Sequence, residues 1–120
     1  MNRNILTSMI FGISIVGSHA AIAQEHALQD LVYAHYRCNA EIESKRLSKA
    51  EISVCGELYT RLKLHFVKET NWERYDASST ELQSAVSKRG YLAFKAWETA
   101  NPTVVTELET KAEAANQQNF

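Results

Sequence analysis

Cys38 and Cys55 are the only cysteines in this 120-residue chain, and 16 residues lie between them. Three chemistries suit such a pair: a redox dithiol, half of a metal site, or a disulfide. Redox work favours a short C-x-x-C spacing or an exposed thiol of low pKa, and a zinc-type site wants two more ligands close by. Neither is visible around these cysteines. Two cysteines in an exported chain pair by default, so the sequence predicts a structural Cys38–Cys55 bond.

The histidines and carboxylates are less selective. His35 stands on an apolar stripe one turn before Asn39, where it is either a core side chain with one ring nitrogen hydrogen-bonded or a ligand. His65 comes level with Leu28 in a helical hairpin, within two positions of His26. That pair suits a metal ion or a pH response, but no third ligand is evident. Glu41 and Glu43, Glu107 and Glu109 and several single carboxylates offer members for a glycosidase-like pair, but the sequence selects no two of them, and solvated helix faces explain them as well. No residue is therefore assigned as catalytic or metal-binding, and no cofactor is expected.

Aromatic residues carry the binding chemistry. NWERY, residues 71–75, places Trp72, Arg74 and Tyr75 in a connection, either as a lid on the open end of a bundle or as a binding loop with aromatic anchors. Tyr91 and Phe94 fall about 60° apart on an otherwise polar helix side, where they either cover part of their own domain or present a patch. Trp72, Tyr75, Tyr91 and Phe94 are the candidate partner-binding residues. The expected partner is another protein or a second copy of the chain.

The elements that must position these groups read as helices. There is one proline, and only Gly56 and Gly90 remain beyond residue 23. A first helix over residues 25–45 puts Leu28, Leu31, Val32, His35, Cys38 and Ile42 on one face, with Tyr33, Tyr36 and Ala40 as a weaker second stripe. Ser48-Lys49-Ala50-Glu51 has capping-box spacing and opens a second helix near Lys49, running to about residue 68. Its core face carries Ile52, Cys55, Leu58, Tyr59, Leu62 and Phe66, while Leu64 and Val67 fall outside that arc and point to a third helix. A hairpin turn centred between Arg46 and Leu47 leaves each cysteine 8.5 residues from the centre, and so level with the other.

Ser78-Ser79-Thr80-Glu81 repeats the capping-box spacing and predicts a third helix from near Ser79 to Thr99. Leu82, Ala85, Val86, Leu92, Ala93, Ala96 and Trp97 make its apolar face, which continues across Gly90 and favours one unbroken helix over a stop at that glycine. Arg89 would then sit on the apolar face and need a carboxylate partner. Asn101 as N-cap with Pro102 at the first position opens a last helix bearing Val104, Val105, Leu108, Ala112 and Ala115. The fold class is thus all-α: a small antiparallel bundle of three to four helices with one inter-helix disulfide.

Arg3 precedes an apolar run ending near Val16, and Ala21-Ile22-Ala23 has the A-x-A form cut by signal peptidase, so residues 1–23 read as a signal peptide and 24–120 as one helical domain. An uncleaved anchor is the alternative, but the run is about 12 residues where a span needs roughly 20. Cleavage leaves 97 residues with 12 Lys plus Arg against 14 Asp plus Glu, a balance that argues against nucleic acid or an anionic membrane as partner. It also removes both methionines, and with them Met ligation of haem or copper. No C-x-x-C-H, H-E-x-x-H or G-x-S-x-G occurs.

Two early cysteines followed by ELYTRLK (residues 57–63) and AFKAWE (residues 93–98) resemble, at scattered positions, the small exported lysozyme-inhibitor-like domains. That resemblance implies a helical, disulfide-linked domain. Those domains usually carry a further cysteine after the late aromatic segment, and none follows Cys55 here, so membership is not assigned. The expected function is that of an exported, periplasmic or secreted, non-enzymatic module that binds another protein. An inhibitor or immunity-type protein against a cell-wall enzyme or toxin is one alternative, and a small envelope hydrolase another.

Overall fold

The computed structural model describes residues 16–118, and within them five helices and no strand occur: α1 (Val16–Ser44), α2 (Lys49–His65), α3 (Trp72–Asp76), α4 (Thr80–Ala100) and α5 (Pro102–Gln117). The apolar run of the expected signal peptide lies largely outside these residues. No helix among the described residues is long and apolar enough to cross a membrane.

Local chemistry sets most helix ends. At α2 the capping box forms in full: Glu51 N–H donates to Ser48 Oγ at 3.2 Å and Ser48 N–H donates to Glu51 Oε1 at 3.1 Å. The second S-x-x-E does not form a box. Ser78 Oγ instead donates to Arg74 O at 2.5 Å, closing the short α3 that the sequence read as a loop. The cap of α4 therefore passes to Ser79, which accepts from Leu82 N–H at 3.2 Å and leaves Glu81 one position short of reciprocating. Asn101 also departs from expectation. Pro102 opens α5 as predicted, but the Asn101 side chain makes no cap bond there and donates back to Trp97 O at 2.8 Å, finishing α4.

Helices α1 and α2 form the predicted hairpin, with Cys38 and Cys55 bonded and their Cα atoms 5.8 Å apart, inside the window a disulfide needs. Helix α4 runs antiparallel along α2. The two helices approach tightly at Gly90, where an added Cβ would overlap the Lys63 carbonyl and lie 2.8 Å from the Lys63 Cβ. Helix α5 returns along α1 in the same direction: Lys111 Nζ lies 5.0 Å over the Tyr33 ring, and further along Asn116 Nδ2 donates to Ser44 Oγ at 2.8 Å.

The main core gathers Leu28, Val32 and Tyr36 from α1, Leu62 from α2, Phe94 from α4 and Ala112 from α5. A second cluster joins Leu64 and Val67 to Val86, with Trp72 and Tyr75 packed against it. Leu64 and Val67 thus meet α4, as their place outside the hairpin arc predicts.

The apolar plot of α4 errs in a specific way. Leu82 and Leu92 are more than half exposed, and Phe94, expected on the surface, is 2 % exposed in the core. Its buried residues, Val86, Gly90 and Phe94, form a stripe at i, i+4 and i+8 centred on the glycine. A hydrophobicity plot gives that glycine no weight, yet the missing side chain is what lets α2 come close and decides which arc is covered. Arg89 consequently lies at the surface, paired with Glu69. Ile42 and Ile52, expected in the hairpin core, are also more than half exposed. They flank the recess beside the α1–α2 turn, next to Lys45 and Arg46.

Candidate functional site

Tyr36 and Glu98 lie 62 positions apart in sequence and meet through a 2.6 Å hydrogen bond from the tyrosine hydroxyl to Glu98 Oε2. Around this contact is a recess of about 360 Å³. Helix α1 supplies His35, Tyr36 and Asn39 in little more than one turn, with Glu43 one turn further on. Tyr59 comes from α2, and Tyr91, Lys95 and Glu98 from successive turns of α4. Helix α5 adds Glu109 and Glu113. Their i, i+4 spacing puts both carboxylates on one side of that helix.

The inner wall is aromatic. His35 stacks flat on Tyr59 with ring centroids 4.4 Å apart and an 8° interplanar angle, while Phe94 meets the imidazole edge-on at 5.8 Å. Asn39 Nδ2 lies 3.4 Å from His35 Nε2. Burial pushes the His35 pKa below its ordinary value, partly opposed by Glu98, so the ring is held neutral. Burial and the bond to Glu98 together raise the Tyr36 pKa far above that of a free phenol. Lys95 Nζ is 2.7 Å from Glu98 Oε1, close enough for an ion pair but off the line of a directed hydrogen bond.

On the far side of Tyr59 an open groove of about 640 Å³ reaches from Tyr59 and Lys63 to Tyr75. Lys63 Nζ sits 4.6 Å from the Tyr59 ring centroid and donates to Ser87 Oγ at 2.6 Å. Tyr59 therefore contacts both His35 and a lysine, and Tyr91 lines both recesses.

The four candidate aromatics separate by role. Tyr91 is 43 % exposed at the mouth of the recess, while Phe94 forms its floor from within the core and cannot offer a face to a partner. Tyr75 reaches the groove, and Trp72 packs under Arg61, whose guanidinium carbon is 4.3 Å from the indole centroid. Cys38 and Cys55 form the disulfide and do not line the recess.

Each acidic pair splits, because residues two apart on a helix point in different directions. Glu43 and Glu109 line the recess, whereas Glu41 pairs with Arg37 at 3.5 Å and Glu107 is exposed outside it. His26 and His65 belong to no group of three or more potential metal ligands among the described residues. Sequence reasoning missed Tyr36, Tyr59 and Glu98 as site residues; the one signal for Tyr36 was the second, weaker stripe on the first helix. No known family, characterised protein or solved structure matches the chain.

Proposed function

We propose that this chain is an exported, non-enzymatic helical module that binds another protein through the recess between α1, α4 and α5. One observation carries the reading: the two inner polar groups of the recess, His35 and Glu98, are locked into the packing of the bundle, as in a preformed recognition surface. His35 is stacked on Tyr59 with Phe94 edge-on to it and Asn39 at its Nε2, and Glu98 is engaged by Tyr36 and Lys95. A general base instead needs an acceptor free to reach a substrate proton. Tyr91 at the mouth supplies an exposed aromatic of the type that dominates protein interfaces.

Export is supported by the disulfide and by the form of α1. Every side chain over residues 20–27 is exposed and Leu28 is the first buried one among the described side chains, so residues 20–23, just before the expected cut, take no part in the core. Intact mass of the exported protein is expected to correspond to a chain beginning at Gln24.

Crosslinking in envelope extract, compared with an assay on peptidoglycan and ester substrates, tests the function. Capture of one defined protein by the native chain, reduced by Tyr91→Ala without change in melting temperature, is the expected result. Turnover that disappears on Glu98→Gln or His35→Ala would replace the module by a small hydrolase.

A further inference from the structure

We infer that the outer face of α4 is an interface with a second copy of this chain, the two helices packing antiparallel across a two-fold axis. This face lies about 140° round α4 from Tyr91, so the pairing leaves the recess open and stands whatever the recess binds.

Leu82, Ala85, Arg89, Leu92 and Ala96 recur at steps of three, four, three and four residues, inside an arc of about 80° at the helical 100° per residue. All five are exposed, the two leucines by more than half. The buried stripe of the same helix runs instead at steps of four through Val86, Gly90 and Phe94, where α2 packs at the glycine. Helix α4 thus carries two seams. Alternation of three and four is the spacing by which a pair of helices packs knobs into holes, and no described helix covers this second seam.

The one charge in the seam brings its own counter-charge. Arg89 is paired with Glu69, from the connection after α2, as burial of an apolar face around it requires. A guanidinium and a carboxylate side by side leave the face neutral, and a two-fold rotation sets each of them near the opposite charge of the other copy. A partner of single sign would gain from only half of that pair. The face is charge-complementary to itself, which is the condition for an isologous contact.

Side-chain size agrees with that symmetry. With the axis near Ser87, Leu82 of each copy faces Leu92 of the other, and Ala85 faces Arg89, whose methylenes lie in the space the alanine leaves. From residue 82 to residue 96 the seam is about 21 Å long. A strip of that length and one helix wide falls short of the roughly 800 Å² per copy of a standard stable interface, so the dimer is weak and reversible, forming between micromolar and millimolar chain.

Sedimentation velocity of the purified chain across that range tests the inference. A concentration-dependent dimer is expected, with association about tenfold weaker in Leu92→Lys. Both leucines are exposed, so an unchanged melting temperature shows that their variants are folded. The antiparallel register has its own signature. Leu82→Lys with Leu92→Glu in one chain puts each lysine opposite a glutamate of the other copy, and should dimerise about tenfold more tightly than Leu82→Lys with Leu92→Lys. Positions ten residues apart do not meet along one helix, so the gain reports contact between copies. A chain that stays monomeric at millimolar concentration would overturn the inference, as would equal affinities of the two double variants. Dimers indifferent to Leu92→Lys but dissociated by Tyr91→Ala would also overturn it, by moving self-association to the recess.

Discussion

The two halves of α2 are held by different means. Its first half carries Ile52 and Val54 on the surface, and an added Cβ at Gly56 would meet nothing within 4 Å. The Cys38–Cys55 bond is what ties it to α1. The second half is gripped from two sides, with Leu62 fully buried against α1 and α4, Leu64 in the second cluster, and Lys63 pressed against Gly90. The staple thus stands where packing is thin, and close packing, with no crosslink, holds the end that carries Tyr59 into the recess.

Truncation of a core ring in the packed half should cost the most stability. Phe94 touches His35, Tyr59, Phe66 and Trp97 at ring-centroid distances of 5.8 to 6.5 Å and is one of the three largest fully buried side chains. Phe94→Ala should cost about 3–5 kcal/mol in denaturant unfolding, whereas Tyr91→Ala, one turn away, should leave stability nearly unchanged. Equal losses at the two positions would break the distinction between floor and mouth.

Breaking the disulfide comes next. A loop of this length gives about 3 kcal/mol in the chain-entropy model, so Cys38→Ser with Cys55→Ser should lower the melting temperature markedly. Hydrogen exchange should rise first in the opening turns of α2 and last around Leu62, because only the first half loses its tie. Uniform acceleration along the helix would show that the two halves unfold as one.

Alanine at the two glycines of the described helices α2 and α4 should act with opposite signs. Gly90→Ala drives a methyl into a backbone carbonyl that cannot rotate away, at a cost of about 1–3 kcal/mol. Gly56→Ala in open space should stabilise α2 by about 0.5–1 kcal/mol, the usual gain of alanine over glycine in a helix. Chemical denaturation of the two single variants reads both.

The smallest effect is a pH slope confined to the packed half. Burial lowers the folded-state pKa of His35 from 6.5, so the unfolded chain binds the proton first as pH falls. Its contribution is complete above about pH 6.5 and is lost as pH drops through that value towards the lower folded-state one. His65 is shifted in the same direction and adds to the slope. His35→Phe keeps a ring against Tyr59 and should flatten, without abolishing, the fall in stability between pH 7 and 5.

Read alone, the sequence determines what depends on near neighbours in the chain. Helical class, the capping box at Ser48, proline at the start of α5 and the level placement of Cys38 and Cys55 all follow from residues within a few turns or symmetric about one turn. Ser78 and Asn101 mark the edge of that reach. Each can cap the helix before it or the helix after it, and both took the one before, a choice made by the course of the chain on either side. Which arc of α4 is buried depends on packing between helices, because the neighbour approaches where Gly90 leaves room rather than where apolar residues are densest. That choice turned Phe94 into core and brought Tyr36, Tyr59 and Glu98 to one recess, residues whose proximity no periodicity within a single helix encodes.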